Sequence, residues 1–140
     1  VNGCYAPVEL EQQDVRFEML HRLFSRIHEE ELPLAESVAN GMRSATGLPA
    51  YVYTTPNARR VGTSPYVYAR NLLANRIYHC PVVYLEPYVM NHEETYRRLL
   101  PATFLGRTLI AGRLQTSAIE DYVRGIVDGL VAYYQKHRPL

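Results

Sequence analysis

Apolar residues recur at helical spacing in several stretches of the chain. Over residues 14–31 they are Val15, Met19, Leu20, Leu23, Phe24 and Ile27, a stripe along one face of a helix. Asp14 is placed to cap that helix. Glu29, Glu30 and Glu31 fall at its far end, where the negative end of the dipole disfavours acids. Pro33 is expected to open a second helix, since proline costs little in a first turn. The stripe of that helix is Leu34, Val38, Met42 and Ala45, and Gly47 supplies a stop. Residues 66–77, with Ala69, Leu72, Leu73 and Arg76, return to helical spacing. Asn91 is a plausible cap for a helix over 92–100. The clearest element is the last helix. Ser117 and Glu120 form a capping box. Ile119, Tyr122, Val123, Ile126, Val127, Leu130, Val131 and Tyr134 then give a wide apolar stripe.

Strand patterns are shorter. Residues 1–13 read as a strand end running into a loop. Tyr51–Thr54 is strand-like, and residues 55–65, with Pro56, Asn57, Gly62 and Pro65, form a loop that carries Arg59 and Arg60. Pro81–Leu85 is a valine-rich run of the kind that a strand buried on both faces requires. Residues 101–115, with Gly106 and Gly112, read as an irregular excursion. Strands alternating with helices predict an α/β fold with a mostly parallel sheet flanked by helices. Two or three visible strands are few for such a sheet, so partner strands are expected outside this chain.

Length and composition narrow the possibilities. At 140 residues the chain fits one domain, and a domain of this size buries about two thirds of its unfolded surface. A hydrophobic content of 47% supports a core. A net charge of +1 predicts no strong steering toward nucleic acid, and no apolar run approaches the about 20 residues of a membrane span. Cys4 and Cys80 form no CxxC pair and read as two unrelated thiols. Val1 stands where an initiator methionine would, which predicts that residue 1 is not the natural start of translation.

One residue stands out chemically. Glu86 ends the Pro81–Leu85 run, and ligand sites in open α/β sheets gather at the carboxyl ends of strands. A carboxylate there is partly desolvated, which tunes it toward proton transfer. The plainer alternative is a glutamate leaving the core into an exposed turn. The histidines show no ligand spacing. His21 and His28 lie seven apart rather than four, His79 adjoins Cys80, and His92 and His137 have no spaced partner. No nucleophile elbow or phosphate loop appears.

The segment from Pro81 through Glu86 to Asn91, His92, Glu93 and Glu94 resembles part of the zinc-dependent N-acetylmuramoyl-L-alanine amidases. In that family an apolar strand is followed by a catalytic Glu, a short turn, an Asn and acidic helix residues. Leu34–Ala39 resembles the family's helix after the metal-ligand strand, and Tyr122–Tyr133 its closing helix. Where the family has Glu-Thr-Gly-Phe, this chain has Glu86-Pro87-Tyr88-Val89. The family's zinc is held by a His, a Glu and a second His in a Ser-x-His-x-Asn strand. Val1-Asn2 match the two residues after that second His.

The resemblance therefore implies that residues 1–140 are the carboxyl-terminal part of one amidase-like catalytic domain. Zinc would be bound in the complete protein by ligands outside this chain, and Glu86 would be the general base. Peptidoglycan or a muramyl peptide would be the substrate, in the cell envelope or outside the cell, and the missing amino-terminal part would be a partner. Two alternatives remain open at this point: a non-catalytic, degenerate amidase-like module that binds or regulates, and a zinc hydrolase with a different amide or peptide substrate.

Overall fold

A computed structural model describes residues 1–89 and 91–138. The expected α/β architecture does not form. Regular structure is mainly helical, and the described strands make two separate two-stranded antiparallel sheets. The only parallel pairing among the described residues is an isolated bridge between Asn2 and Arg70. The expected strands at 51–54 and 81–85 are not strands, for neither run finds a ladder partner to take up its backbone groups.

The chain falls into two compact units: Val1–Ser37 with Ala50–Tyr84, and Val38–Pro49 with Leu85–Leu140.

In the first unit, a single 3-10 turn (Glu9–Glu11) leads into α1 (Gln13–Phe24). The expected long helix breaks after Phe24, at Arg26, whose φ of 54° is left-handed. α2 then runs from His28 to Thr46 with Pro33 inside it, so the break is seven residues earlier than the proline suggested. This corner resolves the awkward acids. Glu29, Glu30 and Glu31 lie in the first turn of α2, where the positive end of the dipole favours them. Arg22 and the buried Glu31 pair across the corner. Residues 66–77, expected as a helix, divide into β2 (Tyr68–Ala69) and the single turn α3 (Leu73–Arg76). β2 pairs antiparallel with β1 (Arg59–Arg60), inside the expected loop. Val15, Ile27, Ala35, Val67 and Ala69 form this unit's apolar core.

In the second unit, α4 (Glu93–Leu99) is capped by His92 rather than Asn91. The excursion at 101–115 contains a hairpin of β3 (Thr108–Ile110) and β4 (Arg113–Gln115). Its two-residue loop has positive φ at Ala111 (49°) and Gly112 (77°), the requirement of the primed turns that match strand twist. α5 (Ala118–His137) forms as expected, and the Ser117 hydroxyl accepts from the Glu120 amide at 3.5 Å. Its orientation is not as expected. Ala118, Asp121, Gly125, Gly129 and Tyr133 are buried, while Ile119, Val123, Val127, Val131 and Tyr134 are exposed. The reason is close helix packing. A Cβ added at Gly41 on α2 would lie 2.7 Å from the Gly129 nitrogen, and one at Gly125 would lie 2.6 Å from the Met42 Cα. Only glycine lets the two backbones meet there.

Candidate functional site

Glu86 is exposed, in a stretch without regular secondary structure. The strand end that motivated its selection is therefore absent. Its surroundings in the second unit still carry chemistry. Two residues on, Tyr88 is half-buried, and its hydroxyl donates to the Ala118 carbonyl at the start of α5. Tyr88 is one wall of a cavity of about 320 Å³, whose polar lining includes His92, Glu94, Arg98, Arg113 and Gln115. Glu86 does not line it.

Each polar wall has a structural cause. The Arg98 guanidinium is fixed by the Thr116 carbonyl at 3.1 Å, the Thr116 hydroxyl at 3.2 Å and an ion pair with the buried Asp121. Asp121 also accepts from the Thr116 hydroxyl at 2.7 Å and from Arg124 at 2.7 Å. A buried carboxylate needs such company to stay charged. Glu94 accepts from the Gln115 amide at 3.3 Å and lies 3.8 Å from Arg113. His92 Nδ1 accepts from the Thr95 amide at 3.3 Å and lies 2.9 Å from the Thr95 hydroxyl. Burial raises the Tyr88 phenol above its ordinary pKa, against the opposing pull of Arg98. It is held as a neutral donor at neutral pH. The cavity thus offers a fixed guanidinium, a carboxylate and an imidazole, a set suited to holding a polar, hydrogen-bonding group.

The other residues considered from the sequence are dispersed. His21 stacks on His79 with ring centroids 3.9 Å apart, in the first unit. His137 stacks on Tyr133 near the end of α5. Cys4 and Cys80 are free thiols, and Cys4 Sγ donates to the Pro56 carbonyl at 3.4 Å. Among the described residues no group of three or more His, Cys, Asp or Glu side chains could hold a metal ion. The donors brought together among the described residues therefore do not make a zinc site.

Sequence reading missed Arg98 and Asp121, 23 positions apart, and Arg22 and Glu31. No local signal marked Asp121, because it lies off the apolar stripe of α5, on the side that carries Gly125 and Gly129. No family model, curated protein or solved structure matches the chain.

Proposed function

We propose that this chain is part of an amide hydrolase of the N-acetylmuramoyl-L-alanine amidase type, with Glu86 as general base. The observation that supports the reading is the place of Glu86. It is an exposed carboxylate two residues along the chain from Tyr88, a wall of the polar cavity. Tyr88, anchored on α5, steadies that stretch. A substrate polar group held in the cavity would bring its amide within reach of Glu86. The carboxylate would take a proton from the attacking water and return it to the leaving amine. Zinc belongs to what the resemblance implies and would be held by residues outside this chain; the part of this chain is proton transfer at Glu86. The substrate would be peptidoglycan or a muramyl peptide, met in the cell envelope or outside the cell. No helix among the described residues is long and apolar enough to cross a membrane.

Glu86→Gln in the complete protein should lower turnover of a muramyl peptide by about 10²–10⁴, the usual share of a general base. Turnover within a factor of two of the parent would remove Glu86 from the mechanism.

A second reading is a non-catalytic amidase-like module. It predicts that the complete protein sediments with peptidoglycan and releases no product. Product release that stops on chelation would exclude it.

A further inference from the structure

The charges of the first unit are divided along the sequence. Its second stretch, Ala50–Tyr84, contains Arg59, Arg60, Arg70 and Arg76 and no Asp or Glu. Arg76 is paired with Glu18 of α1. Arg59 and Arg60 are exposed on β1. Cross-strand partners project from the same face of a sheet, and the partner of Arg60 on β2 is Tyr68. Arg59 alternates to the other face. From Tyr68 a run of rings leads outward. Its centroid lies 4.9 Å from that of Tyr53, and the Tyr53 centroid lies 5.0 Å from that of Tyr51, both contacts edge-to-face. The Arg70 guanidinium stands over the Tyr53 ring at 5.2 Å. Tyr51 is 55% exposed, and Tyr53, Tyr68 and Arg70 are half-buried.

Three tyrosines in mutual contact thus reach the surface beside an exposed guanidinium. Their edge-to-face contacts set the ring planes before any ligand arrives, so little ordering is lost on binding. A tyrosine offers an apolar ring and a polar hydroxyl. A pyranose matches both, with its C–H face against the ring and its hydroxyls bonded to the phenols. Arg60 adds a planar fork that fits a carboxylate. A nucleic acid carries a phosphate at every residue and calls for a basic groove along its backbone. One exposed arginine on this face and a net charge of +1 do not make such a groove. We propose that the face formed by Tyr51, Tyr53, Tyr68 and Arg60 binds a saccharide chain that bears carboxylates, its sugar rings on the tyrosines and a carboxylate on Arg60. The inference stands apart from the hydrolase reading, since Glu86 belongs to the other unit.

The test titrates two probes into the isotope-labelled full chain: cellotetraose, and the same tetramer with every primary alcohol oxidised to a carboxylate. The oxidised tetramer should bind about tenfold more tightly, the scale of one hydrogen bond to a charged group, and should move the ring resonances of Tyr51 and Tyr53. Arg60→Gln should cancel that advantage and leave cellotetraose binding as in the parent. Tyr51→Ala should weaken both probes by about tenfold, the scale of stacking on one aromatic ring. Both substituted residues are exposed, so each variant should keep the amide spectrum of the folded chain. Binding of neither probe, equal binding of both, an advantage that survives Arg60→Gln, or unchanged binding to Tyr51→Ala would overturn the proposal. So would tighter binding of an equally charged oligothymidylate, which would make the face a nucleic-acid site instead.

Discussion

Arg22 and Glu31 are both nearly excluded from solvent, at 5% and 3% exposure. Taking two charges out of water is expensive, and the pair persists because other groups complete their hydrogen bonding. The carbonyls of Tyr78 and Cys80 serve Arg22, and the Asn2 amide serves Glu31. Removing one partner is therefore worse than removing both. Glu31→Gln should lower unfolding free energy by about 3–5 kcal/mol, measured by urea denaturation, and a matched apolar double replacement of Arg22 and Glu31 should recover much of the loss. Glu36 shows the opposite setting, a carboxylate near the surface. The Thr63 amide foremost, with the Ser64 amide and the Thr63 hydroxyl, holds its pKa below the ordinary carboxylate value, although burial acts the other way. Its stabilisation is therefore complete above the ordinary carboxylate range and fades as pH falls through its lowered folded value. Glu36→Gln should be less stable than the parent at neutral pH, and the two urea midpoints should converge as the medium is acidified. A constant gap across that range would refute the linkage.

Individual elements depend on a few backbone positions. α2 and α5 meet through Gly41, Gly125 and Gly129. On helix propensity alone, Gly125→Ala should stabilise by about 1 kcal/mol. In this setting the new methyl meets the α2 backbone, which cannot swing aside as a side chain can. Gly125→Ala should instead destabilise by about 1–3 kcal/mol, the usual cost of overpacking; a raised melting temperature would show that the helices do not touch there. The β3–β4 hairpin carries the reverse opportunity. Ala111 sits at a φ of 49° before Gly112, where a primed turn favours Asn-Gly. Ala111→Asn should raise stability by about 1 kcal/mol, since an L side chain other than Asn or Asp is strained in that region. Much at this scale could be read from the chain: the α5 cap at Ser117, the existence of α4 and a helix ending at Gly47. The corner at Arg26 could not, because it is held by Arg22 and Glu31, nine positions apart, and not by a proline or glycine.

Across the whole molecule, the largest departure from expectation is the set of apolar side chains left in solvent. Val123, Val127 and Val131 are each about half exposed on α5, and Phe17 and Phe24 are 66% and 79% exposed on α1. Exposed positions contribute little to folding, so Val127→Gln should change unfolding free energy by no more than about 0.5 kcal/mol; a loss of several times that would mean that the valine face is covered. The amino-acid pattern by itself determined that the chain has amphipathic helices near its two ends, a capped final helix, a low net charge and no apolar span of membrane length. It also singled out Glu86 as a carboxylate at the close of an apolar run. Tertiary structure alone decided the rest. Periodicity reports which residues are apolar, but the face a helix buries is set by which side allows the nearest approach, and on α5 that side is the one with glycines and Asp121. A run such as Pro81–Leu85 has strand propensity, but a strand exists only when a neighbour takes its backbone hydrogen bonds. The polar cavity and the tyrosine face depend on residues brought together from separate parts of the chain, His92 with Arg113 in one and Tyr51 with Tyr68 in the other. Such groupings come from packing over long separations, and local spacing does not encode them.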